Sequence, residues 1–241
     1  MKKISFYLFF GVLIFSPLAF GTVETWSYTI MEMMICLSAV LYFFSFRNEQ
    51  FYQVPGLRLL LAVGGLIVFQ AVPLPAGLVQ LISPESFRIY NQTFGALTPL
   101  QFISLSIYPQ ATVFEALRFF SYVLFYMLAV QMFSEGAVLK KTTASVVGFA
   151  ALLAFVVIIE FLSKTFNYPL PNEKILWIRD SVHGARAVGP YVNRNHYAGF
   201  AEMLFPLALG LFLVYRPVLA RIGVRRQLAD FFLPRRARPH F

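Results

Sequence analysis

An all-α fold, built as a polytopic bundle of about six transmembrane helices, is predicted by three features of this 241-residue sequence. Hydrophobic residues make up 59% of it and charged residues only 13%, about half the roughly 25% usual in soluble domains. Six apolar runs approach the roughly 20 residues that a helix needs to cross a bilayer. Lysine and arginine collect mostly in alternate connections between those runs, as expected of segments held on the cytoplasmic side. Helices are the economical choice because lipid cannot satisfy backbone polar groups. The alternating apolar/polar pattern of an outer-membrane barrel is absent.

The first run, Ile4 to Phe20, follows Lys2 and Lys3. It also reads as a signal peptide, with Ala19-Phe20-Gly21 as a small-x-small cleavage site; either way Thr22 lies outside and the later topology is unchanged. The second run covers Trp26 to Phe46 and the third Leu57 to Val72. The fourth covers Thr112 to Phe133, the fifth Thr142 to Phe161 and the sixth His196 to Tyr215. Thirteen of the twenty Lys and Arg residues then share one side, namely Lys2, Lys3, Arg47, Arg58, Lys140, Lys141 and seven arginines after Tyr215. That side is assigned to the cytoplasm, with both termini there. Residues 1–215 form the transmembrane domain and 216–241 a basic cytoplasmic tail, which is a topology anchor, an ordinary loop or an anionic-lipid contact.

The net charge of +9 is explained by these membrane-flanking cations and does not call for nucleic acid. Most of the 28 Phe residues suit lipid-facing surfaces and interfacial belts. The lone Cys36 sits inside a hydrophobic run, so neither a disulfide frame nor a zinc pattern is present.

Two long connections fall on the outer side. Val72 to Ala111 contains Pro73, Pro75 and Pro84 around a short apolar stretch, Ala76 to Ile82. Too short to span, that stretch is expected to be re-entrant or interfacial. Lys164 to Asn195 carries five cations against Glu173 and Asp180. Cations are usually depleted on this face, so either they are incidental surface charge or an anionic ligand meets them there.

The chemistry-bearing residues gather where that loop meets the sixth run. Gly184 and Gly189-Pro190 permit a tight loop, and Asn193 or Asn195 can cap the helix. The helix N-terminus offers free N–H groups and a positive dipole end to an anion. Arg186 and Arg194 add planar donors matched to phosphate oxygens. The plainer alternative is a capped helix with two solvated arginines. His196 suits an interfacial hydrogen bond better than base catalysis, since no carboxylate stands near it in sequence; His183 lies in a less constrained loop. Neither belongs to a metal-ligand spacing, and no metal is expected.

Glu202, inside the sixth run, and Glu32 and Glu160 in other spans each need a partner or a polar cavity, because an ionised group at a helix centre costs about 2.5–3.5 kcal/mol. Glu115 and Arg118, three apart, suit an ion pair with each other, although Arg118 can alternatively face the anionic site.

The stretch "RAVGPYVNRNHYAGFAEMLFPLALGL" resembles the Arg-x-x-Gly…Asn-Arg-Asn-His segment of bacterial O-antigen ligase/polymerase-like membrane proteins. "VPLPAGLVQLISPE" and "LSIYPQATVFEALRF" are similar to the outer loop and following span of that family, so the resemblance covers roughly Gln70 to Tyr215. It implies an inner-membrane protein that handles a glycan on polyprenyl pyrophosphate at the outer face, for lipopolysaccharide or other surface polysaccharide. Arg186 matches the family's early arginine, and Asn193, Arg194, Asn195 and His196 match its Asn-Arg-Asn-His segment as substrate-binding residues. The implied reaction is displacement at the anomeric carbon with lipid pyrophosphate leaving, and it uses no cofactor or metal. Family members are usually longer, with a later outer loop bearing the presumed catalytic histidine. This chain therefore resembles the N-terminal half, expected to need a downstream half or partner subunit for transfer, and its catalytic residues stay unassigned. The competing expectations are a non-catalytic subunit that binds lipid-linked glycan and a small transporter.

Overall fold

The computed structural model describes residues 1–45, 51–95, 99–166, 174–176, 179–180, 189–191 and 193–215, with 164, 174, 175, 179 and 180 described by their backbone alone. The described chain is mostly helical. Its α-helices are α1 (Lys2–Leu18), α2 (Thr25–Ser45), α3 (Leu57–Ala71), α4 (Ala76–Ile82), α5 (Pro84–Phe94), α6 (Pro109–Met132), α7 (Gly136–Thr165) and α8 (Arg194–Tyr215). Four of these, α2, α6, α7 and α8, are long and apolar enough to cross a membrane. α1 and α3 are the shorter apolar helices predicted as the first and third runs, at 17 and 15 residues. The basic tail from 216 onward lies outside the described residues.

Local sequence explains the boundaries. Pro84 and Pro109 open α5 and α6, where a missing N–H is harmless and the fixed φ is already helical. α3 starts after Gly56 at φ 71, in the left-handed region that glycine adopts freely. Pro206 sits inside α8. It has no N–H to offer the carbonyl of Glu202 one turn back.

The chain divides into two compact units, one of Met1–Ser16 with Thr22–Val138, the other of Pro17–Gly21 with the described part of Leu139–Phe241. In the first unit α1, α2 and α6 share a core. Phe9, Ala39, Tyr42 and Leu128 bury together toward one end, and Val12, Met31 and Ile35 toward the other. The Phe9 ring stacks on Phe125 at 4.4 Å between centroids. α1 and α2 cross closely where Ser5 and Ser38 meet. Ser5 Oγ donates to the Ser38 carbonyl at 2.7 Å, and Ser38 Oγ donates to the Ser5 carbonyl at 2.9 Å. Small residues allow such close approach of membrane helices. α3 packs on α6, where the Gly64 backbone lies against Phe119 and Phe120. The Gln131 side chain clasps the segment before α3, accepting from Tyr52 N at 2.9 Å and donating to the Tyr52 carbonyl at 2.8 Å.

The connection between α3 and α6 is folded rather than loose. β1 (Leu74–Pro75) pairs antiparallel with β2 (Phe102–Ile103), Leu74 opposite Ile103. α4 falls on the predicted short stretch, while α5 was not foreseen. Ala76, Val79 and Ile103 form a small core, covered by Phe87 and Tyr90 of α5. Ser86 Oγ donates to the Leu105 carbonyl at 2.8 Å, and the Tyr90 hydroxyl donates to the Ser106 carbonyl at 2.8 Å. Val79 is fully buried, so Val79→Ala should destabilise this subdomain by about 2 kcal/mol, from lost transfer energy and the void left behind. Amide exchange should speed up between residues 74 and 106 while α6 stays protected. A uniform change across the chain would show that the connection has no core of its own.

In the second unit, β3 (Lys174–Ile175) pairs antiparallel with β4 (Arg179–Asp180).

Candidate functional site

Of the residues expected to bind an anion, Asn193, Arg194, Asn195 and His196 lie at the start of α8. Asn193 is the residue that caps it. Its Oδ1 accepts from Asn195 N at 2.9 Å, and its carbonyl accepts from His196 N at 3.0 Å and Tyr197 N at 3.4 Å. The sequence left Asn193 and Asn195 as equal candidates, and the second serves instead as a donor to the first. Asn193, Arg194, Asn195 and His196 are all exposed. Three first-turn side chains with cationic or hydrogen-bonding heads therefore stand at the positive end of the helix dipole, where Asn193 already takes up the N–H groups of Asn195, His196 and Tyr197. Arg186 and His183 lie outside the described residues.

Behind this exposed head is an aromatic plug that sequence reasoning missed. Gly189 turns the chain at φ 62, and Pro190 is buried. Tyr191 then inserts between Tyr197 at 6.2 Å and Phe200 at 5.8 Å, centroid to centroid. A side chain at Gly21 would overlap the Tyr191 ring, so that glycine is required both for its φ of 73 and for space. Burial, and secondarily the neighbouring Tyr197, pushes the Tyr191 hydroxyl up to about 12. It is a neutral phenol at any physiological pH and no candidate for a base. The signal available in sequence was the i,i+3 aromatic pair Tyr197 and Phe200, indistinguishable there from ordinary lipid-facing residues.

The carboxylates of the candidate spans find different environments. Glu160 of α7 is fully buried, and its Oε1 accepts from Leu176 N at 3.1 Å. It thus anchors Leu176, just after β3, to the C-terminal part of α7. Glu202 is exposed on α8. In the first unit Glu32 of α2 meets Arg118 of α6. The Arg118 Nη1 donates to Glu115 Oε1 at 2.8 Å and to Oε2 at 3.1 Å, its Nε lies 3.9 Å from Glu32 Oε1, and its guanidinium covers the Tyr28 ring at 4.3 Å. The pair expected between Glu115 and Arg118 forms. The cross-helix partner Glu32 was missed, although opposite charges at matching depth in two spans were a usable clue.

Chemically, the α8 head can hold an anion at a helix start. The His196 side chain has no carboxylate hydrogen-bond partner among the described residues. No protein-family model matches this chain, and neither a curated protein nor a solved structure matches it.

Proposed function

We propose that this chain is a multi-pass protein of the bacterial inner membrane that binds polyprenyl-pyrophosphate-linked glycan at the outer face, in the assembly of surface polysaccharide. The observation that carries the reading is the head of α8, where Asn193 caps the helix and Arg194, Asn195 and His196 stand exposed around its N-terminus. A diphosphate at headgroup level suits that head, since helix starts and arginines both favour phosphate oxygens. The cation-rich connection ahead of it and the resemblance of residues 70–215 to O-antigen ligase/polymerase-like proteins support the same ligand. Arginine would stabilise charge developing on the pyrophosphate as it leaves the anomeric carbon.

In this reading α1 and α3 also cross, giving six spans. Their 17 and 15 residues rise roughly 25 and 22 Å at 1.5 Å each. A few flanking residues or local thinning make up the rest of a core of about 30 Å. Both chain ends are then cytoplasmic, and α4 is the re-entrant or interfacial segment of the outer side.

The purified protein in nanodiscs should bind a polyprenyl diphosphate. Arg194→Ala should weaken it by about 1.5–3 kcal/mol, the range for a hydrogen bond to a charged group, and Arg186→Ala should act in the same direction. Wild-type affinity in both variants would leave a capped helix and nothing more. Binding without turnover is the second reading, in which His196 only hydrogen-bonds the ligand. Reconstitution with lipid-linked glycan and acceptors separates the two, since transfer abolished by His196→Ala would assign the base to this chain.

A further inference from the structure

One end of the first unit holds an unassigned cavity. The start of α1, the end of α2 and the end of α6 surround a cavity of about 320 Å³, within the range of small-molecule sites (about 300–1,000 Å³). Lys2 and Lys3 enter it from α1, Tyr42 from α2 and Met132 from α6, and Ser134 and Glu135 complete the rim. Two cations face one carboxylate, so the lining favours an anion. The α1 first turn adds backbone N–H groups that have no intrahelical acceptor. The walls are otherwise apolar and aromatic, with Phe6, Tyr7 and Val138 beside the lysines. Gln131 is a wall and not a ligand, because both ends of its amide are committed to Tyr52.

We propose that this cavity binds the headgroup of an anionic phospholipid, with Lys2 and Lys3 on the phosphate and the acyl chains running out along Phe6 and Tyr7. Three observations favour a lipid over a soluble phosphate. The cavity lies at the ends of apolar helices, where headgroups lie. Its floor and sides are hydrocarbon and ring. Its volume suits a headgroup with the chains left in the bilayer. Basic pockets between membrane helices take such headgroups, and lysine stems can lie along apolar walls while the ammonium reaches the phosphate.

The test uses the full chain in phosphatidylcholine nanodiscs titrated with phosphatidylglycerol, read by retained lipid in native mass spectrometry. The double variant Lys2→Ala/Lys3→Ala should lower apparent affinity about thirtyfold, from about 1 kcal/mol per cation at a membrane surface. Because those lysines also help set topology, Ser134→Trp provides an independent arm. It keeps every cation but places an indole over the mouth, and it should weaken binding at least about tenfold. Arg58→Ala/Lys141→Ala removes two cations outside the cavity and should change affinity less than about twofold. Equal losses in the two double variants would mean diffuse surface attraction and overturn the site. Full binding in Ser134→Trp would also overturn it. Glycerol phosphate or inorganic phosphate displacing the lipid at comparable concentration would identify a soluble anion as the occupant and overturn the lipid assignment.

Discussion

Arg118→Leu is expected to destabilise the first unit by about 2–4 kcal/mol. The guanidinium sits nine residues into α6, roughly 14 Å below its start, and Glu32 sits seven residues into α2, roughly 10 Å below its own. Removing the cation leaves two carboxylates at membrane depth. Glu115 is 61% exposed and can relax toward water, so its ion pair contributes little. Glu32 is 22% exposed and cannot. An uncompensated charge in a span costs about 2.5–3.5 kcal/mol, and breaking a buried pair from one side about 3–5. The partial exposure of Arg118, at 26%, pulls the figure to the lower part of that span. Glu115→Gln should cost less than about 0.5 kcal/mol. Arg118→Leu/Glu32→Leu should recover most of the loss, because an apolar pair replaces an ionic one at little net cost. Unfolding in mixed micelles measures all three. A double variant as unstable as Arg118→Leu alone would show that Glu32 is not the partner that matters.

Ser38→Leu should cost a similar amount, about 2–4 kcal/mol, for a different reason. Ser5 and Ser38 are both fully buried and exchange hydrogen bonds across α1 and α2. Leucine forces three extra carbons into that contact, an overpacking worth about 1–3 kcal/mol. It also removes the hydroxyl that donates to the Ser5 carbonyl, adding about 1 kcal/mol. Ser38→Ala keeps the close approach and loses only bonds of about 0.6 kcal/mol each in membrane helices. Thermal unfolding of the two variants decides the matter. Equal, small shifts would mean that the helices are not pressed together at this point.

The helices were legible because their signal is summed over fifteen or more residues. Each apolar run became a helix within six residues of its predicted bounds, the largest difference being the start of α7 at Gly136 rather than Thr142. The folded connection between α3 and α6 was only half legible. Ala76–Ile82 announced itself by three flanking prolines, but "PESFRIYNQTF" has polar residues at over half its positions and was read as loop. Two-residue strands are below any periodic signal; they exist because Leu74 and Ile103 share a core with Val79. At the candidate site, cap chemistry marked the start of α8 but could not choose between two asparagines spaced two apart. Only the path of the chain through Gly189 decides which side chain meets which N–H. The contact of Tyr191 with Gly21 joins residues 170 positions apart, and no local pattern encodes it.

The pairing of Leu74 with Ile103 has a consequence for how the chain could be rebuilt. The two residues face each other across one ladder, so the chain leaves and re-enters the bundle within about 5 Å. Just outside that point Ser106 N donates to the Gln70 carbonyl at 2.8 Å, and α3 and α6 are already held together by their own packing. The intervening residues are therefore a pendant module hung from a single closed neck. Closure entropy grows only with the logarithm of loop length. Excising the module and sealing the neck with a tight turn, or grafting a larger domain in its place, would ask almost nothing new of the helices beneath.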